Sequence, residues 1–145
     1  TRLVAERFGC VHGVDRLQLA ERLSTQPPCH APPLNVCIQV NVAGESGKAV
    51  VALAEVAALA ARVRTLPRLR LRGLMCLPPG KADGARQRHW FAHLRVSFDA
   101  LRASGFDVDT LSMGMSGDFA AAIAEGATLV RIGTAVFGPR AAAPV

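Results

Sequence analysis

Apolar positions along this chain follow two alternating rhythms. RLVAERF predicts the tail of a helix, and CVHGVD (Cys10–Asp15) predicts a brief strand with a polar end. In RLQLAERLS the apolar residues Leu17, Leu19, Ala20 and Leu23 gather on one side, as a helical repeat of about 3.6 residues requires. The proline-rich STQPPCHAPP predicts a loop, and LNVCIQVNV (Leu34–Val42), with its β-branched residues, predicts a strand. After the loop AGESGKA, a helix is predicted from about Val50 to Thr65, with Leu53, Val56, Leu59, Ala60 and Val63 on one stripe and Pro67 ending it. LRLRGLMCL (Leu69–Leu77) predicts a strand closed by Pro78, Pro79 and Gly80. The following helix places Phe91, Leu94, Phe98 and Leu101 on a face and stops at Gly105. A strand from Leu111 leads into the helix FAAAIAEGA, where Gly126 suits a C-terminal cap, and TLVRIGTAVFG closes the series with a short tail.

Five strands thus alternate with helices, at roughly thirty residues per unit, the size of a βαβ module. Strict alternation predicts an α/β protein with a parallel sheet covered by helices. No GxGxxG follows the first strand, which counts against a dinucleotide-binding Rossmann fold. The other parallel architecture is the (β/α)8 TIM barrel, which takes about 250 residues. With 145 residues and a start inside a helix at Thr1, the chain is expected to be an incomplete barrel of strands four to eight. Residues 1–145 would then form the C-terminal part of a single barrel domain, a fragment lacking about three N-terminal units.

Composition narrows the classes. Half the residues are hydrophobic, enough for one sizeable core. No apolar run approaches the roughly 18 residues of a membrane span, so no membrane association is expected. The first residues contain an acid and no signal-peptide layout. Cys10, Cys29, Cys37 and Cys76 are scattered without CxxC spacing, which points to buried thiols and a cytoplasmic location. The net charge of +6 comes from fifteen arginines and two lysines, Lys48 and Lys81. The arginines are dispersed, as in Arg62, Arg64, Arg68, Arg70 and Arg72, and no basic block is interleaved with aromatics. Nucleic acid is therefore not an expected partner. His89 and His93 lie four apart on a helix, but no carboxylate stands between them, so no metal is expected.

The chemistry concentrates at the last two strand mouths. In such barrels a phosphate is frequently held by the loops after strands seven and eight. LSMGMS leads into the first of these loops and RIGT into the second. A phosphate wants backbone N–H groups, small hydroxyls and the positive end of a helix. Ser116 offers a hydroxyl beside the open Gly117, Gly133 allows close backbone approach, and Thr134 adds a second hydroxyl. Plainer roles stay open. Ser116 or Asp118 could simply cap the next helix, a contribution of about 1 kcal/mol, and Gly133 with Thr134 could mark a turn after an edge strand. Gln39 and Asn41 could face a ligand or satisfy neighbouring loops. Met75, Met113 and Met115 could line a pocket or fill gaps in the core.

LSMGMSGDFAAAIAEGATLVRIGTAVFG is similar, nearly position for position, to the signature of the pyridoxal phosphate homeostasis protein family. VHGVDRLQLAERL, LNVCIQVNVAGESGKAV and LRLRGLMCLPP also resemble later segments of that family, in order, so the resemblance covers essentially the whole chain. It implies the barrel fold of the alanine racemase N-terminal domain and pyridoxal 5'-phosphate (PLP) as cofactor. It further implies that Ser116, Gly133 and Thr134 bind the phosphate and that Arg131 lies near the pyridine ring. An arginine there, in place of a carboxylate, disfavours ring protonation and weakens PLP as an electron sink. The implied role is non-catalytic: buffering PLP and delivering it to apo PLP-dependent enzymes. The alternative is a PLP-dependent amino acid racemase on the same fold. That chemistry needs an acid/base pair flanking the ring, and tyrosine, which alanine racemases use on one face, is absent here.

The chain departs from the family in one respect. Family members hold PLP as a Schiff base on a lysine near the end of the first strand, and nothing here matches that strand. RLVAERF resembles the helix after the family's third strand. Lys48 sits in a loop where the family usually also has a lysine, but a Gly/Ser-rich loop predicts a solvated charge, and Lys81 reads as surface loop.

Overall fold

The structure, a computed structural model, describes residues 1–28, 31–45, 50–80 and 82–138. Helix α1 (Arg2–Arg7) is followed by β1 (Cys10–Val14), α2 (Leu17–Thr25) and β2 (Leu34–Asn41). A short strand β3 (Val51–Ala52) and a 3-10 turn (Leu53–Glu55) lead into α3 (Val56–Arg64). Then come β4 (Leu69–Cys76), α4 (Gly84–Ala103), β5 (Thr110–Met115), α5 (Phe119–Ala124), β6 (Leu129–Arg131) and α6 (Thr134–Phe137). The strands form one sheet in the order β1-β2-β4-β5-β6, every pairing is parallel, and β3 pairs with the C-terminal end of β2.

The alternating pattern sets the two faces of the sheet. Val36, Ile38 and Val40 of β2 stand opposite Leu71, Leu74 and Cys76 of β4, and all are buried in the helix-facing core. Leu111 and Met113 of β5 continue that layer. Against it pack Leu23, Val56, Ala60, Val63, Phe91, Leu94, Phe98, Leu101 and Ala122 from the helices. Each large side chain so buried contributes about 1.5–3 kcal/mol relative to exposure. Because successive side chains point to opposite faces, Cys37, Gln39, Met75 and Ser112 project from the side away from the helices.

One predicted element divides differently. The helix expected from Val50 begins only at Val56, because Val51 and Ala52 extend the sheet beside Val40 and Asn41. Val51 is buried there, and the Glu55 carboxylate accepts the Ala52 N–H at 3.3 Å to start the turn into α3. A β-branched valine fits a strand as readily as the first turn of a helix, so periodicity alone does not separate them. The described residues therefore hold six strands rather than five.

Two backbone positions fix how the layers meet. Gly114, in β5, has φ +93, and a Cβ there would stand 2.6 Å from Ala122 Cβ and 3.1 Å from Phe119 Cα. Only glycine lets α5 lie this close to its own strand. At the other end of the sheet, Arg68 has φ 60 and donates to the carbonyls of Ser24 (3.1 Å), Pro27 (2.7 Å) and Thr25 (3.0 Å). It thereby satisfies backbone acceptors around the end of α2, which the helix itself leaves open.

Candidate functional site

Strands β5 and β6 are neighbours, so the segments that follow them lie side by side at the C-terminal edge of the sheet. Ser116 follows the end of β5, and its Oγ accepts the N–H of Gly133 at 3.2 Å and of Ala135 at 3.1 Å. Gly133 is the residue before α6, and Thr134 opens that helix, exposed. The structure thus brings Ser116, Gly133 and Thr134 together. A Cβ added at Gly117 or at Gly133 would meet nothing within 4 Å, so there is open space at both glycines of this rim.

Helix capping is not what Ser116 does. Asp118 holds the cap position of α5, and its side chain makes no bond to the helix. Instead its Oδ1 accepts the Met115 N–H at 2.6 Å, while its own N–H donates to Met115 O at 3.1 Å. Buried Asp118 therefore locks the turn after β5, leaving Ser116 to reach across to the next loop. The pair Gly133–Thr134 does not form a bare turn either, since it begins α6.

Arg131, at the end of β6, is half-buried. Its Nη1 donates to Ser112 Oγ at 2.5 Å and its Nη2 to Cys76 O at 2.8 Å, so the guanidinium is anchored to β5 and β4. Burial pulls its pKa below the ordinary value, while Cys76, Asp118 and Cys37 act in the opposite direction. A guanidinium starts so high that it stays protonated. Behind it, His12 Nδ1 of β1 lies 3.0 Å from Ser112 Oγ. Burial, then the Arg131 charge, pushes the His12 pKa below its ordinary value. The thiols of Cys37 and Cys76 are pushed up to about 12, chiefly by burial, and so are protonated and unreactive at neutral pH.

Sequence reasoning missed His12, Ser112 and the turn-locking role of Asp118. A signal for Ser112 was present: a hydroxyl in the middle of an apolar strand must find a partner once buried. His12 carried no such signal, because its partner is a hundred residues away. Other candidates resolve as plain structure. Asn41 donates to Glu45 O at 2.9 Å and accepts Glu45 N–H at 3.1 Å, which shapes the loop after β2. Met113 belongs to the helix-facing core, whereas Met75 is buried outside it. Lys48 and Lys81 lie outside the described residues. The rings of His89 and His93 stand 4.1 Å apart on α4, and the described residues hold no group of three or more side chains able to bind a metal. Arg70, Arg72, Arg88 and Arg95 pair with Asp107, Asp109, Glu125 and Asp99. A cavity of about 500 Å³ is lined by Asp15, Arg16, Val51, Glu55 and Arg62 and by none of Ser116, Arg131, Gly133 or Thr134. No helix among the described residues is long and apolar enough to cross a membrane.

A parallel sheet with its helices on one face and a serine-and-amide cradle after its last two strands defines a class. Residues 2–141 match the alanine racemase N-terminal domain, and the chain belongs to that family. Among curated relatives, a protein of Pseudomonas aeruginosa named pyridoxal phosphate homeostasis protein is 56% identical over 140 residues. One of Escherichia coli K12 with the same name is 51% identical over 140 residues. Each match takes in 97% of this chain and 60% of the relative, so the chain spans about three-fifths of their length. Among solved structures, PipY of Synechococcus elongatus PCC7942 with PLP bound superposes with a TM-score of 0.85 at 33% identity. That match covers 94% of this chain and 64% of PipY.

Proposed function

We propose that this chain binds PLP through the rim formed by Ser116, Gly133 and Thr134 and serves PLP homeostasis as a carrier rather than as a catalyst. The names of its relatives and the PLP-bound PipY structure support the choice of ligand. The observation that carries the reading is the convergence of the Gly133 and Ala135 N–H groups on Ser116 Oγ. Those two amides are taken up by Ser116 and hold its oxygen in place, so what they leave for a phosphate is an oriented hydroxyl hydrogen beside the exposed Thr134. The oxygen of Ser116 accepts two bonds, so its O–H is free to turn toward an anion in the open space at Gly117 and Gly133.

Arg131 would present its remaining N–H groups to the pyridine nitrogen. When bound, PLP supplies an electrophilic aldehyde. The chain's residues hold the phosphate, orient the ring and keep a fixed cation at its nitrogen. In the same reading, recipients of the released cofactor are apo PLP-dependent enzymes, and residues 1–145 act as one domain.

The test compares PLP with pyridoxal, which lacks the phosphate, by equilibrium dialysis. The unmodified chain should prefer PLP by tenfold or more. Ser116→Ala should remove about tenfold of that preference, or roughly 1.4 kcal/mol, close to the lower end of the range of about 1.5–3 kcal/mol for a hydrogen bond to a charged group. Equal affinity for the two compounds would remove the phosphate cradle.

A further inference from the structure

Ser112 is fully buried between two partners of different character. A serine hydroxyl has one hydrogen to give and two lone pairs to accept with. Arg131 can only donate, so its Nη1 contact at 2.5 Å takes one lone pair of Ser112 Oγ. The contact with His12 Nδ1 at 3.0 Å can run either way. If the ring donated, the hydroxyl hydrogen would need another acceptor, and among the described residues Ser112 Oγ bonds only His12 and Arg131. A buried donor left unpaired is strongly disfavoured. The remaining arrangement runs in one direction: Arg131 donates to Ser112, and Ser112 donates to His12 Nδ1.

We propose that His12 is a positioning residue for Arg131, acting through Ser112 as a neutral imidazole with its proton on Nε2. The inference rests on the proposed role of Arg131 at the cofactor ring. Bonds linked head to tail polarise one another, so the acceptor at His12 fixes the Ser112 rotor, and the rotor fixes one arm of the Arg131 fork. Cys76 O holds the other arm at 2.8 Å. The neighbouring titratable groups favour this state. Burial and the Arg131 charge on β6 both act against an imidazolium, and Cys37 on β2 is a protonated thiol. Protonating His12 on Nδ1 would reverse its bond to Ser112, leaving the hydroxyl to accept from two cations and its hydrogen without a partner.

The ligand-free chain tests this directly by long-range proton–nitrogen NMR of the histidine rings. The expected result at pH 7 is an unprotonated Nδ1 and a protonated Nε2 for His12, with a titration midpoint below that of an exposed histidine. Arg131→Met should raise that midpoint, Ser112→Ala should abolish the tautomer preference, and Ser112→Thr should retain it. An Nδ1–H tautomer, or a midpoint unmoved by Arg131→Met, would overturn the proposal. Dialysis then separates it from the reading on which it rests. His12→Phe, which cannot accept, should weaken PLP and pyridoxal alike by several-fold while the preference for PLP persists. His12→Gln should recover part of the loss. If the tautomer is as expected but neither His12→Phe nor Arg131→Met alters PLP affinity, Arg131 does not face the ring and the cofactor reading fails instead.

Discussion

Replacing Gly114 with alanine tests whether the approach of α5 to β5 holds the rim in place. Two effects add. An L-residue at φ +93 is strained by roughly 1–2 kcal/mol. The new methyl also lands 2.6 Å from Ala122 Cβ, and overpacking of this kind typically costs about 1–3 kcal/mol. Gly114→Ala should therefore destabilise the chain by about 2–5 kcal/mol, a large share of the roughly 5–15 kcal/mol that holds a domain together. Ala122→Gly alone should cost about 1 kcal/mol through helix propensity, yet in the double variant it removes the nearest clash. Urea midpoints of the four chains then form a cycle in which the double variant is less destabilised than the sum of the singles by at least about 1 kcal/mol. Additivity within about 0.5 kcal/mol would refute the contact. The amide NMR signals of Gly133 and Ala135 give a second readout. They should move in Gly114→Ala, because displacing α5 shifts Ser116, to which both amides bond.

At the opposite end of the sheet, Arg68→Ala should cost about 2–4 kcal/mol, since charge-assisted bonds to three carbonyls disappear. Arg68→Gly should be the more stable of the two by about 1 kcal/mol because it relieves the positive φ; urea midpoints in the reverse order would contradict this. Stability should also fall on acidification in two separate windows, read as urea midpoints against pH. The His12 pKa is lowered on folding, so its contribution is complete above the unfolded value of about 6.5 and declines as pH falls below it. His12→Phe should flatten that step. The Asp109 pKa is held down chiefly by its bond to Arg72, so its contribution is present above about 3.9 and is lost as pH falls through its lower folded value. Asp109→Asn should flatten only that second step.

The architecture was legible where one residue type carried one meaning. Pro67, Gly105 and the stripe Phe91, Leu94, Phe98, Leu101 mark helix ends and a buried face whatever surrounds them. The alternation in Leu34–Val42 likewise identified a strand with one face against the helices. Legibility failed at Val51–Ala52, where strand and helix start share a composition and the choice belongs to β2 lying alongside. The rim was legible as a position, since loops after adjacent parallel strands must meet. The particular bonds were not. Nothing local told Ser116 from Asp118 as a cap, because what decides it is the Gly133 and Ala135 amides, reached only after α5 and β6 are in place. The His12–Ser112 contact joins β1 to β5 across the sheet and was invisible for the same reason.

On the proposed reading, the bonds of Arg131 also bear on why the chain should hold PLP rather than use it. A group that protonates the pyridine nitrogen turns the ring into an electron sink, which is what most PLP chemistry relies on. A guanidinium can donate a hydrogen bond to that nitrogen but does not surrender the proton. Burial lowers the Arg131 pKa, a guanidinium nevertheless stays protonated, and two fixed acceptors, Ser112 Oγ and Cys76 O, keep the cation from swinging away. The nearby thiols are protonated, and His12 is turned with its Nδ1 toward Ser112. On that reading such a site would hold the ring and its phosphate while leaving the ring electronically quiet. That combination suits a cofactor that must be held unreacted and then released.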